Sequence, residues 1–143
     1  VTLAFRNVDA SPADPVATWP FEGLVIAIER GLVPDWQPLI AELRQHPWGA
    51  TARRVEAYLG FAEPSPTARL FTLLLERVRA DAEAGERAEV AARVRGAIVA
   101  SGLTAAAFAA EVGTSASRLS TYATGRVVPS AAMLVRIERR GGR

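Results

Sequence analysis

The chain has 143 residues, half of them apolar. A disordered chain is thereby excluded, and no window reaches the roughly 20 uninterrupted apolar residues of a membrane span. There is no cysteine and His46 is the one imidazole, which removes disulfide frameworks, thiolate chemistry, zinc fingers and histidine-based triads. All 17 cations are arginines, which together with the abundance of alanine reads as codon bias; their distribution is the informative part. Residues 1–85 carry 8 Arg against 11 acidic groups and residues 86–143 carry 9 against 4, so the net charge of +2 conceals an acidic half and a basic one. That asymmetry is expected where one half meets a polyanion.

Residues 1–20 hold three of the nine prolines and read as an extended arm. The opening Val1-Thr2-Leu3-Ala4-Phe5 lacks the charged and long apolar regions of a secretory leader, from which a cytoplasmic location is expected. Phe21, Leu24, Val25, Ile28 and Leu32 then fall at helical spacing, closed by Gly31 and Pro34. Asp35 is placed as the cap of a second helix with Pro38 in its first turn and Trp36, Leu39, Ile40 and Leu43 on one face. Pro47 opens a third, with Trp48, Ala52, Val55 and Leu59 aligned and Gly60 as its stop. After the break Glu63-Pro64-Ser65-Pro66, Thr67 caps a fourth helix whose Leu70, Phe71, Leu74, Leu75 and Val78 make the strongest apolar stripe in the chain. The polar run Arg79 to Glu89 follows, with Gly85 as the expected boundary.

No stretch alternates as a strand would, so an all-α fold is expected: a small N-terminal helical bundle over residues 1–84, then a basic helical domain over 85–143. In the latter, Val90, Val94, Ala97 and Ile98 face inward on a first helix that ends at Ser101-Gly102. Thr104 caps a second helix, Ala105 to Val112, with Phe108, Ala109 and Val112 on one face, and Gly113 makes the turn after it. Ser115 caps a third helix with Leu119 and Tyr122 inward and Gly125 at its end. Val127-Val128-Pro129-Ser130 lead to a fourth helix carrying Met133, Leu134 and Ile137.

Residues from about 93 to 139 thus resemble a phage-repressor (Xre/Cro-type) helix-turn-helix domain, on Phe108-Ala109, Val112-Gly113-Thr114-Ser115-Ala116-Ser117-Arg118-Leu119-Ser120-Thr121-Tyr122, Gly125 and Pro129. The resemblance implies a four- to five-helix domain at 85–143 whose helix 115–124 enters the major groove of double-stranded DNA. Base contacts map onto Ala116, Ser117 and Thr121, with Arg118 at the flank for guanine or phosphate and Ser120 on the same outward side. Arg126 is expected on a phosphate, and so are the backbone N–H groups behind Thr104, where a helix start is itself an anion site; Ser115, the cap of the groove-entering helix, is counted with the DNA-binding residues. One departure is that Ala105 and Ala106 stand where the family often has a phosphate-binding Gln. The Arg136, Arg139, Arg140 and Arg143 cluster reads equally as further phosphate contacts or as a solubilising tail.

The implied function is a transcriptional regulator, an autorepressor binding as a homodimer. The alternative is an antitoxin whose N-terminal half neutralises a protein toxin. No metal, cofactor or catalytic set is expected: His46 reads as a surface cap beside Pro47, the carboxylates as solvent-facing, and Trp19, Trp36 and Trp48 as anchors of the N-terminal core.

Overall fold

A computed structural model describes residues 2–142. Over them the chain is all-α: a 3₁₀ turn at Val16–Thr18, then α1 (Phe21–Arg30), α2 (Val33–Gln45), α3 (Ala50–Leu59), α4 (Pro66–Ser101), α5 (Ala105–Val112), α6 (Ala116–Ala123) and α7 (Ala131–Arg140), with no strand among the described residues. No single helix among them is long and apolar enough to cross a membrane. The chain divides after Ala82 into two compact units. That division lies inside α4, close to the boundary expected at Gly85, and the polar run there is helical. Its Ala, Glu and Arg are strong helix formers, which offset the ~1 kcal/mol cost of one glycine. A Cβ at Gly85 would meet nothing within 4 Å.

The first unit buries one face of each helix around Leu24, Ile28, Leu39, Leu43, Val55 and Phe71, with Trp19 closing the core from the N-terminal arm. Its helix starts differ from expectation in three places. Gly31 does end α1, but Pro34 lies in the first turn of α2; the cap is Leu32, whose N–H donates to the Asp35 carboxylate at 2.7 Å. Ser65, not Thr67, caps α4, accepting from the Ala68 N–H at 3.0 Å, and Pro66 takes the first helical position. Pro47 precedes α3, whose cap is Gly49. The cause is common to all three: a proline suits either the first turn of a helix or the segment before it, and periodicity does not choose between them.

Trp19 and Trp36 anchor the core through indole N–H bonds to the Asp14 and Ala27 carbonyls at 3.0 and 2.8 Å. Trp48, expected beside them on α3, lies outside that helix and is half exposed, with the Arg79 guanidinium 4.9 Å above its ring. Arg79, counted from sequence with the polar run, is the fastener of this corner. It donates to the Pro47 carbonyl at 3.0 Å and forks onto the Glu56 carboxylate at 2.9 and 3.2 Å, which holds Glu56 below the usual carboxylate range. Of the α4 stripe, Phe71, Leu75 and Val78 are buried, whereas Leu70, expected with them, is exposed, as is Leu73. The stripe is wider than the core it covers. His46 is the C-cap residue of α2, with its ring Nδ1 3.2 Å from Glu42.

The second unit packs Val94 and Ala97 of α4, Phe108, Ala109 and Val112 of α5, Leu119 and Tyr122 of α6 and Ile137 of α7 into a separate core. Met133 and Leu134 border it, half buried. Arg93 pairs with Glu138 at 2.5 Å, joining α4 to α7, and Arg140 pairs with Glu111, joining α7 to α5. Where α7 ends, Gly141 approaches α4 so closely that a Cβ on it would stand 2.7 Å from Ala97 Cα. Its φ of −73° is ordinary, so the constraint there is steric alone. Gly96, one residue from that contact in sequence, has nothing within 4 Å of its Cβ position. Alanine at the two sites should therefore act with opposite sign: Gly96→Ala raises stability by about 0.5–1 kcal/mol, and Gly141→Ala lowers it by roughly 1–3 kcal/mol, read from urea midpoints.

Candidate nucleic-acid interface

α5 and α6 are two short helices held end to end by capping. Thr104 Oγ1 accepts from the Ala107 N–H at 3.2 Å and starts α5. Gly113 ends it with φ +82°, its N–H donating to the Ala110 carbonyl at 3.3 Å while the Thr114 N–H donates to Ala109 at 2.9 Å. This paired arrangement needs a left-handed residue, for which glycine carries no Cβ penalty. Two residues later Ser115 Oγ accepts from the Arg118 N–H at 3.1 Å and starts α6. The inward faces of the two helices share one core, in which Ala109 is buried.

The far end of α6 is closed with equal care. Three of the carbonyls a helix leaves without intrahelical partners, those of Thr121, Tyr122 and Ala123, accept bonds beyond the last regular one to Ser120. Ser120 accepts from the Thr124 N–H at 3.0 Å, Thr121 from the Val127 N–H at 3.2 Å, and Tyr122 from the Gly125 N–H at 3.3 Å. Ala123 accepts from the Arg95 guanidinium at 2.7 Å, a cation placed at the negative end of the helix. Sequence reasoning did not find Arg95, because its partner lies 28 residues on and only the tertiary fold brings them together.

Ala116, Ser117, Arg118 and Ser120 all lie exposed on α6, and Thr121 is half buried. Thr121 donates its hydroxyl proton to the Arg118 carbonyl at 2.6 Å, so outward it offers only lone pairs and a methyl group. Thr104 and Ser115 are exposed caps at the starts of α5 and α6, and Arg126 is exposed in the segment after α6. Among the described residues Arg118, Arg126 and Arg136 make no ion pair. Arg136, Arg139 and Arg140 lie in α7; Arg140 is paired, and an Arg136 nitrogen lies 3.8 Å from where a Cβ on Gly113 would stand. The fourth member of that cluster, Arg143, lies outside the described residues. No protein-family model, curated protein or solved structure matches the chain.

What this surface can do follows from its shape and charge. Small side chains keep the outward side of α6 slender, so it can lie deep in a groove about 12 Å wide. The N–H groups at two capped helix starts and the unpaired guanidiniums favour anions. Among the described residues no group of three or more His, Asp or Glu is arranged to hold a metal ion. The two ends of α6 can be tested separately. Ser115→Ala should lower the urea midpoint by an amount equal to about 1 kcal/mol. Arg95→Ala should speed amide exchange at Thr124 and Gly125 and leave the amides of α1 to α3 unchanged.

Proposed function

We propose that the chain is a sequence-specific, double-stranded-DNA-binding transcriptional regulator, an autorepressor that binds as a homodimer with α6 in the major groove. The observation that carries this reading is the slender, exposed side of α6, fixed at both ends by capping and flanked by Arg118 and Arg126, cations without carboxylate partners among the described residues. In this reading Ala116 and the Thr121 methyl group pack on thymine methyls, while Ser117 and Ser120 hydrogen-bond to base edges. Arg126 and the N–H groups at the start of α5 take phosphates, the latter without the Gln that Ala105 replaces. Serine and threonine discriminate bases weakly, so two half-sites about 34–36 Å apart are required for selectivity. The exposed Leu70 and Leu73 of α4, left outside the first unit's core, are where we place the contact between the two copies.

Arg118 is the one strong donor on α6, and its role sets the test. The full chain is titrated against duplexes enriched from a random pool and against single-base mismatches at two salt concentrations. Arg118→Ala should cost about 1–3 kcal/mol at one base position if the side chain reads guanine. If it holds a phosphate, the loss is uniform over sequences and the salt slope falls by about one. An enriched duplex that Arg118→Ala binds as tightly as the wild type would remove Arg118 from the interface, and a wild type that enriches no duplex would overturn the reading.

A further inference from the structure

The second unit carries a cleft that the roles given to α6 do not use. It has a volume of about 320 Å³ and lies between the start of this unit's part of α4 and the end of α6, lined by Ala84, Arg87, Ala88 and Ala91 on one side and Thr124 and Gly125 on the other. Arg95, which holds the Ala123 carbonyl, also lines it. The Arg87 stem runs along Gly125: a Cβ there would stand 3.8 Å from Arg87 Cγ and 3.6 Å from the Ala91 methyl. Gly125, with φ +77°, is the residue before Arg126. Among the described residues Arg87 makes no ion pair, although Glu83 lies one helical turn before it.

A helix carboxyl end ordinarily repels an anion, because its free carbonyls carry about half a negative charge. At α6 that repulsion is reduced, since the Thr121 and Tyr122 carbonyls accept backbone N–H bonds and the Ala123 carbonyl is held by a guanidinium. The alanines of α4 leave room above Arg95 and Gly125, and Arg87 brings a second, uncommitted guanidinium to the rim.

We propose that this cleft is a phosphodiester subsite in which Arg87, reaching from α4, holds a backbone phosphate of the duplex at the carboxyl end of α6. The proposal rests on the DNA-binding reading and adds to it a contact from a different helix. Arg126 and Arg87 flank Gly125, so the duplex backbone is gripped where the reading helix ends as well as where it begins.

The test uses the full chain and the enriched duplex with methylphosphonates, which remove the charge of one phosphate at a time. Arg87→Gln keeps the Cβ and Cγ that pack beside Gly125 and removes the guanidinium with its charge; Arg53→Ala, an exposed arginine of the first unit, is the control. Arg87→Gln should lower affinity roughly three- to tenfold, equally on matched and mismatched duplexes, and lower the salt slope by about one. One methylphosphonate position should weaken the wild type and Arg53→Ala but leave Arg87→Gln unaffected, and Arg87→Lys should restore sensitivity there. If Arg87→Gln and the wild type respond alike at every position, the subsite is wrong while the reading of α6 stands. If the wild type enriches no duplex, both are wrong.

Discussion

The left-handed residue at Gly113 is the constraint from which the second unit is built. Helices of eight residues fall below the roughly 12–15 at which an isolated helix becomes even marginal in water, so neither α5 nor α6 can persist alone. They persist because the three-residue turn brings Phe108, Ala109 and Val112 onto the same core as Leu119 and Tyr122. A residue with a Cβ would be strained there by roughly 1–2 kcal/mol. With that turn set, the burial of Leu119 and Tyr122 leaves Ala116, Ser117 and Ser120 facing outward.

Polar fasteners then decide which arginines remain free. The basic excess of residues 86–143 looks, as a bare count, like surplus charge for a polyanion. Three of those arginines instead have internal partners: Arg93 with Glu138, Arg140 with Glu111, and Arg95 with the end of α6. The exposed Arg140–Glu111 pair contributes little to stability, since solvent screens it, whereas Arg93–Glu138 is part-buried. Their effect is positional: they hold α7 to α4 and to α5. The charge left uncommitted at α6 is smaller than composition implies and is concentrated at Arg118, Arg126 and the rim residue Arg87.

Much of this was legible from the sequence because it is local. Caps act within three residues, so Thr104 and Ser115 could be read directly, and the inward sides of α5 and α6 follow from a period of 3.6. The helix starts at Pro34, Pro47 and Pro66 were misplaced because proline fits two adjacent roles. The helical continuity through Gly85 was missed because a solvated Ala/Glu/Arg helix shows no apolar period. The outward side chains of the candidate site were listed by helical geometry, but Arg95 and Arg87 needed the tertiary fold, their partners lying some 28 and 38 residues away in a chain without cysteine pairs or ligand motifs to mark long-range contacts. Trp48 and Leu70 were expected in the core because an apolar residue at helical spacing does not reveal where a helix stops or how wide its covered face is.

In the proposed function, the outward side of α6, with the start of α5 and the segment at Arg126, is the surface that meets DNA. Amide chemical-shift mapping of the full chain titrated with its enriched duplex tests this most directly. Shifts concentrated at residues 104–107, 115–121 and 125–127, with α1 to α3 unmoved at substoichiometric duplex, are expected if α6 enters the groove. Shifts confined to α1 to α3, or spread over both units with α6 silent, would contradict it.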